Sequence, residues 1–334
     1  MTELHATTQA PRGSAPDRVE DQLEQHRVAL TGYCYRMLGS TFEAEDAVQE
    51  TMVRAWRNID HFEGRSALKS WLYSIATNVC LDMLNGKERR ARPMDFTEGS
   101  ADGPLGPVLP EATWLEPIPD SRVLPSDGDP AELAAARETL RLAFVAALQH
   151  LPPRQRAVLI LREVLRWQAT EVAELLDTTV ASVNSALQRA RATLEASEIT
   201  ANDPVSPMDE AQQELLDRYV ASFEQYDIDS LVTLLHEDAT LSMPPYALWM
   251  RGIDNFRRWL LGEGLGCRGS RLVAVNANGC AAFGQYRSSP DGGHEPWALQ
   301  VIEMSDGRIT ALNSFLDTAR LFPLFGLPPR LDAE

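Results

Sequence analysis

AEDAVQETMVRAW, residues 44–56, has the spacing of a helix with two unlike faces. On a 3.6-residue period Val48, Met52 and Trp56 line up as a face that packs inward. A second face gathers Asp46, Gln49, Glu50, Val53 and Arg57. An acid-bearing stripe with a valine at its middle is an odd surface for a helix that meets only water. It calls for a partner of complementary charge.

Around this stretch the chain has 334 residues, enough for two or three domains that each bury a core. The net charge of −17 argues against a protein that simply coats nucleic acid, although one face can still be basic. The cysteines, Cys34, Cys80, Cys267 and Cys280, are far apart and form no CxxC pair. They read as free thiols in a reducing compartment, with no metal or cofactor implied. No apolar run approaches the ~20 residues of a membrane span, and the N-terminus lacks a signal-peptide core, so a cytoplasmic protein is expected.

Residues 1–20 are polar and aperiodic and read as a disordered tail. Helical periodicity then runs through a block at 21–93. Residues 94–140 hold ten acids against two arginines, with seven prolines between Pro104 and Pro130. Residues 94–130 are expected to be an acidic linker without a core of its own. Asp129 is placed to cap a helix with Pro130 at its first position. A second helical block follows at 131–199. After the breaker NDPVSP the pattern becomes mixed: two helices, a strand at TLSMPP, a short helix, then β-rich sequence with turn signals at Asn278-Gly279, Asp291-Gly292 and Asp306-Gly307. This predicts four antiparallel strands behind three helices, an α+β domain at 207–322 with a tail at 323–334, and the apolar stretch FLDTARLFPLFGLPPRL (315–331) is expected to pack back on its neighbours.

In WQATEVAELLDTTVASVNSALQRARATLE, residues 167–195, Val172, Leu175 and Leu176 form one inward face and Val180, Val183, Leu187 and Leu194 another. The break at Asp177-Thr178-Thr179 makes the pair a helix-turn-helix. Outward on its second helix lie Ser182, Asn184, Ser185, Gln188, Arg189 and Arg191, amides early and cations late, with no acid from Thr178 to Leu194. That order suits base edges first and phosphates after. Residues 65–92 carry six Lys or Arg against two acids, interleaved with aromatics. Cations beside aromatic rings fit unstacked single-stranded bases, although Trp71 could equally be core.

These segments resemble, in order, region 2 and region 4 of bacterial RNA polymerase sigma factors of the extracytoplasmic-function group. The D-x-x-Q-E helix, G-x-S-x-x-x-x-W-L and LPxxQR carry the likeness, over roughly residues 20–95 and 135–197. The resemblance implies that Asp46, Gln49, Glu50, Val53 and Arg57 bind the clamp helices of the largest polymerase subunit, with region 4 near the flap. It also implies that Arg65, Ser66, Lys69, Trp71, Asn78, Lys87, Arg89 and Arg90 take the −10 promoter element. Ser182, Asn184, Ser185, Gln188, Arg189 and Arg191 would read the −35 element. Relatives often carry Arg at the positions of Asn184 and Ala186, so the −35 preference is this chain's own.

Residues 208–320 resemble SnoaL-like domains, a cone-shaped α+β fold that some members of this sigma group carry after region 4. The expected architecture is thus two all-α sigma domains, an acidic linker and an α+β cone. Tyr246, Trp249 and Trp297 are candidates to line a ligand pocket at the cone mouth, with His236 and Asp254 nearby. His236 in LLHEDA reads as a helix-end residue whose charge complements the carbonyl dipole. The competing reading is a helix-turn-helix regulator whose cone binds a metabolite. It leaves the stripe around Val53 without a role.

Overall fold

The computed structural model describes residues 15–59, 62, 67–100, 105–196 and 210–333. The first helix, α1 (Ala15–Glu24), begins inside the stretch expected to be a disordered tail. Next come α2 (Arg27–Leu38), α3 (Thr41–Asn58) and α4 (Leu68–Leu84). The α2 helix is the hub of this block, burying Leu30, Tyr33, Cys34, Met37 and Leu38. It stops at Gly39, whose φ of +70° favours glycine; a Cβ there would also meet Leu115 Cδ2 at 2.6 Å. Ser40 then starts α3, its hydroxyl accepting from the Glu43 amide at 3.2 Å.

The inward face of α3 is Ala44, Ala47, Val48, Thr51 and Ala55, one step around the helix from the expected face. Met52 is only half-buried and Trp56 is 55% exposed, which corrects the reading of Trp56 as core. Small residues win the inward positions because they let α3 approach α2 closely.

The acidic stretch is more integrated than its composition suggests. Trp114, Leu115, Ile118, Val123 and Leu124 are buried, and Trp114 makes a parallel bridge to Ala91. Prolines keep the segment extended, so its apolar residues use the cores of neighbouring domains instead of one of their own. A solvated spacer is therefore not what residues 114–124 form. Two short helices follow, α5 (Asp120–Val123) and α6 (Pro130–Glu138). Asp129 caps α6 as expected, accepting from the Ala131 amide at 2.9 Å.

The next block comprises α7 (Leu142–Gln149), α8 (Pro153–Leu159), α9 (Ala169–Leu175) and α10 (Val180–Ala196). The turn between α9 and α10 is made by Asp177 at φ +47°, and Thr179 Oγ1 accepts from the Ser182 amide at 3.1 Å. Val183, Leu187 and Ala190 face inward, whereas Val180, expected with them, is exposed in the first turn. Both helical blocks share one apolar core: the Tyr73 ring sits 5.1 Å from that of Trp167. Buried Arg156 crosses the junction, donating to the carbonyls of Met37, Gln149 and Leu151.

The last domain has α11 (Glu210–Gln225), α12 (Ile228–Thr233) and α13 (Ile253–Leu261) packed against a sheet. Its strands are β1 (Leu235–Ser242), β2 (Trp249–Arg251), β3 (Arg271–Ala277), β4 (Cys280–Ser288), β5 (His294–Ser305) and β6 (Arg308–Phe315). The order is β2-β1-β6-β5-β4-β3, with β1 parallel to β6 and the other pairs antiparallel. The sheet has six strands against the expected four: β1 extends the strand expected at TLSMPP back to Leu235, where a helix end was expected, and pairs parallel with β6, and β2 adds an edge only three residues long. Each turn signal closes a hairpin; Asn278-Gly279 and Asp306-Gly307 both have paired positive φ values.

Alternation splits the sheet between two cores. Ala281, Phe283 and Ile302 face the helices of the cone. Ala282, Leu299 and Val301 face Leu142, Phe42 and the C-terminal helix α14 (Thr318–Leu324), which packs back as expected. The cone thus uses one sheet face to hold both helical blocks.

Candidate partner and nucleic-acid interfaces

On α3, Asp46, Gln49, Glu50 and Arg57 are exposed and Val53 is half-buried among them. Glu50 is held by Arg54 at 2.7 Å, one turn along the helix. The Ala44–Ala55 face fixes the helix, so this stripe is displayed in full. It offers a shallow apolar centre with the carboxylates of Asp46 and Glu50 on one side and Arg57 on the other, and the acidic side is suited to a cationic helical partner.

The expected −10 residues separate into three kinds. Lys69 and Asn78 are exposed on α4, and Trp71 is half-buried against Phe62, ring centroids 5.1 Å apart. Lys87 and Arg89 are exposed; Lys87 meets Glu43 at 2.7 Å, and the Arg89 guanidinium lies against the His150 ring, 2.8 Å from Nε2 and 2.9 Å from Nδ1. Burial, followed by the Arg89 charge, lowers the His150 pKa, so the ring is a neutral acceptor near pH 7. Arg90 is different: it is buried, donating to the carbonyls of Glu111 at 3.0 Å and Trp114 at 2.7 Å and pairing with Glu43 at 3.3 Å. It holds the linker to region 2 and offers no donor to DNA, which corrects its placement among the −10 contacts. Arg65 and Ser66 lie outside the described residues.

The outward face of α10 is intact. Ser182, Asn184, Ser185, Gln188, Arg189 and Arg191 are all exposed along one helix. Arg191 pairs with Glu163 at 2.5 Å, a surface pair that a phosphate could displace at little cost.

The three aromatic residues expected at the cone mouth are not brought together. Trp249 Nε1 donates to the Thr97 carbonyl at 2.7 Å, and its indole lies where a Cβ on Gly99 would sit at 3.3 Å. Tyr246 bridges Val108 in the linker and lines a cleft of 350 Å³ between linker and cone. Trp297 alone reaches the cone interior, with the Arg287 guanidinium 3.2 Å from its ring centroid. His236 sits in β1, not at a helix end, and Asp254 starts α13. The interior itself is filled. Its cavity is about 20 Å³, room for one water. Four of its polar side chains form a chain, Tyr219 to Gln300 at 2.7 Å, Gln300 to Gln285 at 2.9 Å and Gln285 to Ser270 at 3.0 Å, whereas the buried Trp259 Nε1 has no partner among the described residues.

Sequence reasoning missed the residues that join the blocks, chiefly Arg36, Arg156 and Asn278. Buried Arg36 donates to Gly32 within α2 and to the Thr139 carbonyl and hydroxyl after α6, and burial lowers its pKa to about 10. Asn278 was legible as a turn residue but carried no sign that its side chain would be buried between domains.

Comparison with known proteins fits this architecture. Sigma-70 region 2 matches residues 23–90, Sigma-70 region 4 residues 141–194, and a SnoaL-like domain residues 216–312. The ECF RNA polymerase sigma factor SigG of Mycobacterium tuberculosis is 45% identical over 313 residues, covering 92% of this chain and 83% of the relative. SigW of Bacillus subtilis is 30% identical over 178 residues, 53% of this chain and 87% of its own. The crystal structure of M. tuberculosis SigJ covers 93% of this chain and 99% of its own with a TM-score of 0.58 at 24% identity, a likeness of fold. The chain belongs to the extracytoplasmic-function RNA polymerase sigma factors, in a form that carries a SnoaL-like α+β domain after region 4.

Proposed function

We propose that this sigma factor docks on the clamp helices of core RNA polymerase through Asp46, Gln49, Glu50, Val53 and Arg57. It then captures the −10 element with Arg65, Ser66, Lys69, Trp71, Asn78, Lys87 and Arg89. It reads the −35 element with Ser182, Asn184, Ser185, Gln188, Arg189 and Arg191, region 4 resting near the flap. It works in the cytoplasm as a non-catalytic specificity subunit, and its SnoaL-like domain modulates it. The observation that carries this reading is that the stripe on α3 and the outward face of α10 are left free by the protein's own packing. The filled interior of the cone speaks against the metabolite-regulator reading.

The test is run-off transcription with sigma-free core polymerase on fragmented genomic DNA. Wild-type protein should give discrete starts sharing two upstream elements. Val53→Asp should abolish them while the melting temperature stays put, because the change puts a charge at the centre of a binding stripe and not in a core. Discrete starts that survive Val53→Asp unchanged would reject this docking surface.

A further inference from the structure

The tip of the β3–β4 hairpin does more than turn the chain. Asn278 is fully buried, although it lies at a hairpin tip, where side chains ordinarily meet solvent. Its Nδ2 donates to Tyr35 Oη at 2.7 Å and to the Leu140 carbonyl at 2.8 Å, and its Oδ1 accepts from the Ile118 amide at 3.0 Å. Its own amide donates to the Ile118 carbonyl at 3.0 Å. Next to it the Gly279 amide donates to Asp120 Oδ1 at 2.8 Å. A Cβ on Gly279 would lie 2.7 Å from the Arg137 carbonyl oxygen, so only glycine allows this approach. Tyr35 belongs to region 2, Ile118 and Asp120 to the linker, and Leu140 and Arg137 to the segment that leads into region 4. One carboxamide, with both donors used, ties all three to the cone.

The two DNA-reading surfaces are meanwhile held on a shared core, with Tyr73 and Trp167 in ring contact at 5.1 Å. Promoter elements named −10 and −35 lie roughly 25 base pairs apart, on the order of 85 Å along B-DNA. A pair of domains packed on one core does not span that length. The acidic stripe on α3, by contrast, is free in this same arrangement.

Resting on the sigma-factor reading above, we propose that the β3–β4 hairpin tip is a latch: it holds regions 2 and 4 together, leaves polymerase docking open, and must withdraw before both promoter elements are read. The cone therefore restrains the factor. Its release belongs to the step after docking, when promoter contacts to the docked factor replace those of the latch. Asn278→Asp keeps the shape and the positive φ but turns two donors into a carboxylate facing the Leu140 carbonyl. Asn278→Gly keeps the turn and removes the side chain. Both should open the molecule. Asp306→Gly, at the exposed β5–β6 turn, controls for hairpin stability.

The experiment measures distances in the full-length protein between spin labels on encoded non-canonical side chains at Asp82 in region 2 and Glu195 in region 4, both exposed. Wild type and Asp306→Gly should show one short distance. Both Asn278 variants should add a longer population, the open fraction rising roughly tenfold. Promoter-specific transcript at limiting core polymerase should rise with it, while affinity for the polymerase stays within about twofold. Circular dichroism melts establish that each variant folds. Identical distance distributions in all four proteins overturn the latch, and altered distances with unchanged transcript overturn its regulatory role. If no protein, wild type included, gives promoter-specific starts, the sigma reading fails, and the distance data still decide whether the hairpin closes the molecule.

Discussion

Arg89 and Arg90 are neighbours in sequence with opposite fates. Arg89 reaches solvent and leans on His150, whereas Arg90 is sealed under Glu111 and Trp114 and paired with Glu43. Arg90→Ala should lower stability by about 2–3 kcal/mol, because it orphans the buried Trp114 carbonyl and half-strips Glu43 of its partners. A chemical denaturation series checks this, with Arg89→Ala expected within about 0.5 kcal/mol of wild type. The same cluster sets an acid limit. Burial works to raise the Glu43 pKa, but the Lys87 hydrogen bond and the charges of Arg90 and Lys87 outweigh it, and the net shift is downward. A depressed folded-state value means the contribution is whole above the ordinary 4.5 and disappears as pH falls through the folded value. Melting temperature against pH should therefore fall below about pH 4.5, and Glu43→Gln should flatten that limb.

At the scale of the element, α10 is a rod fixed by Val183, Leu187 and Ala190 that presents its other face whole. On the proposed reading, position along the rod sets each residue's task. Arg189→Ala should weaken binding of the −35 duplex by a similar factor for every sequence and reduce the salt slope by about one. Asn184→Ala should instead relax preference at a single base pair, by roughly 1–3 kcal/mol. Titrations of matched and single-mismatch duplexes at several salt concentrations separate the two. The α3 helix follows the same logic, and its one-step rotation from the expected face has a plain cause. Hydrophobicity alone ranks Trp56 above Ala55, but close helix contact favours the smaller side chain.

At the scale of the molecule, the sheet of the cone is shared by two cores, and its edge strand β3 is covered by the linker bridge of Pro119 with Ala277. Sheet face and hairpin tip act on the same joint. Gly279→Ala should loosen it, since a side chain at φ +71° is strained and its Cβ would strike Arg137. Small-angle scattering should then report a larger radius of gyration with the melting of the isolated helical content unchanged in amplitude. An unchanged radius would mean that the sheet face holds the joint without the tip.

Order and spacing along the chain were enough for the family, the two helical blocks, the Asp129 cap, the helix-turn-helix, the three hairpins and the exposed outward face of α10. All of these rest on local periodicity or turn chemistry, which a few neighbouring residues specify. The tertiary structure alone decided what depends on partners distant in sequence. It buried Arg90 and released Trp56, because burial depends on which helix arrives opposite. It turned Tyr246 and Trp249 toward the linker and filled the cone, because a pocket is a property of several strands at once. It also drew a proline-rich acidic segment into the joint between domains, since apolar residues too sparse for a core of their own are still stabilised in someone else's. Asn278 shows the limit most plainly: Asn-Gly announces a turn, but only the folded chain puts Tyr35, Ile118 and Leu140 around it.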